Sequence, residues 1–210
     1  MTGRMRRFPD SMCECGAWDR GFSCVRPVVF GCPMRAYRYS GGMGFLIRRY
    51  RSADAAATMA VFRRSVIGLA SRDYDPEQVR VWADRAGDVR RWDRRRSAVD
   101  TWVAVSAGGG DAVVGFIDVD GSGYIDMLFM DPAHARQGVA SALLGEVERH
   151  AAEWGIAGLS VHASITARPF FERYGFRVVR VRHPRIGSVP FVNYLMVRAV
   201  NGGDGSWQPR

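Results

Sequence analysis

From Phe45 onward the chain alternates between stretches of period two and stretches of period near 3.6. Residues 45–50 (FLIRRY) read as an edge-type strand, and Ser52 then caps a helix whose apolar positions Met59, Phe62, Val66 and Leu69 recur at helical spacing. In Asp75-Pro-Glu-Gln78 an N-cap, a proline at the first helical position and a glutamine three residues after the cap form a capping box. A second helix therefore starts there, with Val79 and Trp82 on its apolar face. Three short strands at hairpin spacing follow, residues 101–107, 112–120 and 124–130, separated by glycine-rich turns, and predict an antiparallel meander. A helix opening after Gly138 places Val139, Leu143, Val147, Ala151 and Trp154 on one stripe that must pack on the sheet. Residues 159–163 read as a strand parallel to 124–130, reached by a crossover. A short helix at 166–174 and strands at 176–182 and 191–197 complete a mixed α/β order: strand, two helices, three antiparallel strands, helix, strand, helix, two strands.

Domain organisation follows from where this periodicity begins and ends. Residues 43–200 form one domain with a sizeable core. Residues 1–42 have no apolar periodicity and read as an irregular extension or as a mis-set start ahead of Met43, and the glycine-rich tail from Asn201 reads as disordered. All four cysteines, Cys13, Cys15, Cys24 and Cys32, fall in that first segment, at gaps that match no usual pairing of zinc ligands; no metal site is expected. No apolar run approaches the roughly 20 residues of a membrane helix, and no leader pattern is present, so the expected compartment is the cytoplasm.

Charge narrows the picture less than it first promises. The 210 residues carry a net charge of +9, of which +4 falls in residues 1–42, so the domain itself is only mildly basic. Every basic residue is Arg, which partly reports codon usage. A modest positive field would attract an anionic ligand. The run 90–96 (RRWDRRR) reads as a solvated basic face rather than a nucleic-acid contact.

Candidate chemistry concentrates at Gly138. A helix that opens on glycine leaves its first amide N–H groups free and points its positive dipole end into the turn, which suits a phosphate. A single glycine before a helix is also common punctuation.

Two segments carry a resemblance. Residues 135–140 (ARQGVA) sit where the GCN5-related N-acetyltransferase (GNAT) superfamily has Gln/Arg-x-x-Gly-x-Gly/Ala, and residues 167–176 (ARPFFERYGF) look like its Ala-x-x-Phe-Tyr-x-x-x-Gly-Phe. The chain resembles that superfamily over about residues 45–198. The resemblance implies acetyl-CoA as co-substrate, its pyrophosphate held by the amides of Gln137, Gly138, Val139, Ala140 and Ser141, with Arg136 in support and Phe170 nearby. It also implies that Leu128, Phe129 and Met130 pair their backbone with the pantetheine arm as an added strand would.

The chain departs from the pattern twice. Ala135 stands where the family has Gln or Arg, and Phe171 where it has the tyrosine that protonates the leaving thiolate. An alkylammonium titrates near 10.4 and a thiol near 8.5, so the base matters more than the acid. Asp126, on the strand where some family members keep a carboxylate, is the expected base, and Tyr194 and Tyr174 are the replacement acids. His162 reads as a core histidine. Arg72, Tyr74, Gln78, Trp82 and Asn193 are the expected walls of the acceptor site. The resemblance thus implies an N-acetyltransferase acting by direct attack on a small-molecule amine or a peptide or protein amino group; a homodimer is compatible with it. A non-catalytic acyl-CoA-binding or regulatory module and a basic nucleic-acid binder are the rival classes.

Overall fold

The computed structural model describes residues 44–108 and 111–200, together with the backbone of two short strands, β1 (Ser23–Val25) and β2 (Arg35–Arg38). The tail from Asn201, the remainder of residues 1–42 and with it Cys13, Cys15 and Cys32 lie outside the described residues. β1 and β2 pair with one another, and β2 continues the sheet beside β3 (Phe45–Arg49), so part of the segment read as irregular forms strands. After β3 come α1 (Ala55–Leu69), α2 (Pro76–Asp84) and α3 (Val89–Ser97). The meander is β4 (Asp100–Ser106), β5 (Val113–Val119) and a third strand that breaks into β6 (Tyr124–Ile125) and β7 (Leu128–Met130). α4 (Val139–Glu153), β8 (Gly158–Ser164), α5 (Arg168–Arg173), β9 (Arg177–Arg182), the hairpin β10 (Arg185–Ile186) and β11 (Val189–Pro190), and β12 (Asn193–Ala199) follow.

Hydrophobic patterning explains the layers. β4 and β5 are almost wholly buried because both faces are covered. Trp102, Ala104, Val114 and Ile117 meet the α4 stripe of Val139, Leu143, Val147 and Ala151, while Val103, Val105 and Phe116 meet Val61, Phe62 and Val66 of α1 and Trp92 of α3. Trp154, expected at the end of the α4 stripe, is 73% exposed: the helix ends at Glu153, before another inward turn can form.

α3 is the helix that the periodicity did not reveal. Asp88 caps it by accepting from the Arg91 N–H, and its inner face holds just two buried side chains, Trp92 and Arg96. Residues 90–96 are therefore not uniformly solvated. Arg96 is 3% exposed and places Nη1 2.7 Å from Oδ2 of Asp118, which is itself fully buried. Burial pushes the Asp118 carboxyl up to about 6, against the opposing pull of the Arg96 guanidinium.

The meander strand breaks because its two ends belong to different sheets. β6 pairs in parallel with β8, whereas β7 pairs antiparallel with β5, giving sheet orders β1-β2-β3-β4-β5-β7 and β6-β8-β12-β9. The expected parallel pairing to β8 is thus confined to Tyr124 and Ile125. At the break, Asp118 Oδ1 accepts the Met127 N–H at 2.8 Å, and the Asp118 N–H donates to the Met127 carbonyl. The carboxylate that Arg96 compensates thereby fastens the divergence of the strands. Replacing Arg96 by Met should lower stability by about 3–5 kcal/mol in denaturant unfolding, because Asp118 would be left buried without its partner charge; a loss below about 1 kcal/mol would contradict this role.

Candidate active site

The divergence leaves an open edge. Residues 127 and 131 direct their backbone groups at β5, the first through the Asp118 N–H and the second by donating to the Val114 carbonyl. In an antiparallel ladder this parity alternates, so Phe129 also faces β5, and Leu128 and Met130 turn their N–H and C=O groups to the open side. Across the gap, β8 is paired to β6 only at Ser160 and Val161, so residues 162–164 face the same opening.

The chain leaving β7 forms a braced turn. Asp131 caps a short 3-10 turn (Pro132–His134) by accepting the Ala133 N–H, and its other oxygen receives the Arg64 Nε at 2.7 Å. These bonds hold its carboxyl below the usual range despite some burial. Gly68 of α1 sits so close to Pro132 that a Cβ there would lie 2.7 Å from the proline Cγ. Arg136 and Gly138 both take positive φ, 64° and 80°, which only the glycine adopts without strain. The first backbone bond of α4 runs from the Ala142 N–H to the Gly138 carbonyl, so the amides of Val139, Ala140 and Ser141 point out of the helix end. α4 can approach β5 this closely because position 115 is glycine; a Cβ there would lie 2.9 Å from Val139 Cγ1 and 3.2 Å from the Phe129 carbonyl oxygen.

A cavity of about 360 Å³ opens between the separated strands. One wall is aromatic: Trp82 packs edge-on against Tyr74, Phe129 and Phe191 at centroid distances of 5.3, 6.3 and 6.2 Å. The opposite wall is polar and comes from the second sheet, where Tyr124, His162, Arg182 and Asn193 share a face. The Tyr124 hydroxyl and His162 Nδ1 are 3.0 Å apart. Burial, with Arg182 adding to it, lowers the His162 pKa, and burial raises that of Tyr124 to about 12, so the pair is neutral near pH 7. A second cavity, of about 460 Å³, is lined by residues between Ile67 and Asp84, mainly through apolar atoms.

Residues 70–197 match the model of the acetyltransferase (GNAT) domain family. The chain belongs to the GNAT family. It is 41% identical over 150 residues to an uncharacterized N-acetyltransferase, YafP, of Escherichia coli K12, covering 71% of this chain and 93% of that protein. Among solved structures, a GCN5-related N-acetyltransferase from Rhodopseudomonas palustris superposes with a TM-score of 0.69 at 31% identity, over 73% of this chain and 94% of that one. A putative acetyltransferase from Salmonella typhimurium, determined with acetyl-CoA, shares the fold at a TM-score of 0.57 and 18% identity, over 79% and 98%. The protein is an N-acetyltransferase.

Within this GNAT fold the expected site residues sort by face. Asp126 lies at the strand break on the cavity wall, its Oδ2 3.3 Å from Arg96 Nη2 and 3.5 Å from Arg95 Nη2. Tyr74, Trp82 and Asn193 line the cavity, although the Tyr74 hydroxyl is already engaged, donating to the Val192 carbonyl and accepting the Ile165 N–H. Gln78 is spent on its capping box and on the Pro190 carbonyl, and Arg72 is exposed on a 3-10 turn; neither lines the cavity. Tyr194 points to the other face of β12, under the Arg168 guanidinium at 4.6 Å, and Tyr174 donates to Ser141 Oγ at 2.6 Å, joining α5 to the first turn of α4. Phe170 packs on Tyr174, and Phe171 is 1% exposed in the core.

His162 departs from its reading as a core residue: it is half-buried and faces the cavity, because alternate positions on β8 lie on opposite faces. The β10–β11 hairpin, which contributes Arg185 and Ile186 to the wall, is absent from the expected element order, though Gly187-Ser188 between Ile186 and Val189 is a recognisable two-residue hairpin signal. Replacing Gly115 by Ala should force α4 away from β5 and lower stability by about 1–3 kcal/mol in thermal unfolding; an unchanged melting temperature would show that the helix start can shift freely.

Proposed function

We propose that the protein transfers the acetyl group of acetyl-CoA to a small-molecule amine by direct attack, the cavity between the diverging strands holding the reacting atoms. The observation that carries this reading is the pairing of an open β7 edge with an unsatisfied helix start. Leu128 and Met130 offer backbone groups for a pantetheine amide chain, and the Val139, Ala140 and Ser141 amides, reached across Gly138, offer donors for a pyrophosphate. Arg136 and Gln137 flank that turn. The thioester supplies the activated acetyl carbon; the protein's part is to hold it at the mouth of the cavity and to manage one proton.

The amine must attack with a free lone pair. Its nitrogen bonds to the acetyl carbon, the carbon–sulfur bond breaks, the amine gives up a proton and the thiolate gains one from solvent or a nearby acid. His162 is the better-placed proton acceptor: its imidazole is neutral, and in the tautomer whose Nδ1–H donates to the Tyr124 oxygen, Nε2 carries a lone pair with no partner among the described residues. Asp126 is occupied by Arg95 and Arg96, and its charge favours the imidazolium that forms. No hydroxyl stands at Phe171 to serve as the acid.

His162→Ala should reduce kcat by about 10²–10⁴-fold, with Asp126→Asn affecting it less. Because the His162 pKa lies below 6.5, kcat/KM should fall as pH drops beneath that value and the imidazole charges. Full activity of His162→Ala together with inactivity of Asp126→Asn would return the base role to Asp126. Gly138→Ala, forced into a left-handed conformation worth about 1–2 kcal/mol, should raise the acetyl-CoA KM by about tenfold; an unchanged KM would remove the turn from the binding site.

A further inference from the structure

We infer that the acceptor is an α-amino acid, or an amine with its acid group equally close, whose acid group is held by Arg182 and whose amine donates to Asn193. The inference rests on the acetyltransferase reading of the same cavity and names its substrate class. Arg182 on β9 and Asn193 on β12 are directly opposed in the antiparallel register and both line the cavity. Opposed residues of this kind have Cβ atoms about 4.5–5.5 Å apart. One end of the pair is an oxygen in need of a donor: Asn193 Oδ1 is buried and has no hydrogen-bond partner among the described residues. Buried acceptors are rarely left so, and an amine N–H beside the thioester would satisfy it. The other end is a cation in need of an anion. Among the described residues the Arg182 guanidinium makes no ion pair or hydrogen bond, while its charge reaches both His162 and Tyr124. A guanidinium so placed suits a carboxylate, which it can grip with two parallel N–H donors.

The rest of the wall points the same way. Asp126 is the one carboxylate lining the cavity, and it is committed to Arg95 and Arg96; Asp118 is committed to Arg96. Arg85, from the end of α2, and Arg185, from β10, add two further positive charges, the latter donating to the Ser188 carbonyl. His162 is held neutral. A polyamine or a lysine side chain would meet this excess of positive charge unfavourably, whereas an acid group would be drawn in. Trp82 and Phe191 then offer the substrate's side chain an apolar, aromatic surface.

The test measures CoA release for L-phenylalanine and L-leucine, for the matching amines without the carboxylate (2-phenylethylamine and isoamylamine), and for spermidine. Each amino acid should exceed its decarboxylated partner in kcat/KM by at least about tenfold, and spermidine should be the poorest acceptor. Arg182→Gln should abolish that preference mainly by raising the amino-acid KM; Arg182→Lys should restore part of it. Calorimetric binding of acetyl-CoA to the Arg182→Gln protein should match wild type, which separates a specificity role from a folding defect. Equal or better turnover of the decarboxylated amines or spermidine, or a preference that survives Arg182→Gln, would overturn the acceptor assignment and leave the acetyltransferase reading standing. Acetylation of no amine in the panel would overturn both.

Discussion

The fold turns on one buried carboxylate. Asp118 lies at the point where a single strand must leave one sheet for another, and it holds that point by accepting the Met127 N–H while Arg96 balances its charge. Without this fastening, residues 124–130 could continue as one strand with a closed ladder on each side, and no edge would be left for a ligand. The cost is a buried ion pair, which a hydrophobic pair of equal volume would often match in stability. Its value here is positional, since it fixes where the backbone separates.

Everything in the site is measured from that separation. On one side Leu128 and Met130 face the gap and lead into the turn at Gly138, itself braced by Arg64–Asp131 and by the contact of Gly68 with Pro132. On the other side β6 carries Tyr124 to His162, and the parallel pairing sets both beside Arg182 and Asn193. In the proposed reading the cofactor half of the site is built from backbone, and the acceptor half from side chains. A backbone half tolerates Ala135 in place of a polar residue. The side-chain half is where the individual character of this enzyme resides.

The same division governs what could be read from sequence. The Asp75–Gln78 capping box, the α4 stripe up to Ala151 and the first two meander strands depend on spacing within a few residues, and each stands where spacing placed it. α3 escaped because its inner face has one apolar residue, Trp92, and its other buried position is an arginine whose partner is 22 residues downstream. The break at Asp126 and Met127 was invisible for a similar reason: the residue that causes it sits on a neighbouring strand. The left-handed Gly138 turn and the helix start behind it were legible from the motif, whereas His162, Arg182 and Tyr124 acquire their places only when β6, β8, β9 and β12 are set in register. Tyr194 shows the limit of choosing by residue type, because one position along β12 decides whether a side chain meets the cavity or α5.

In the proposed reading an open strand edge and a helix start together receive one extended ligand. Amide hydrogen exchange followed residue by residue, with and without CoA, tests it most directly. The Leu128 and Met130 amides and those of Val139, Ala140 and Ser141 should become protected together on binding, while Phe129, already bonded within the sheet, should change little. Protection confined to the aromatic wall, or absent from the β7 edge while the ligand is demonstrably bound, would contradict it.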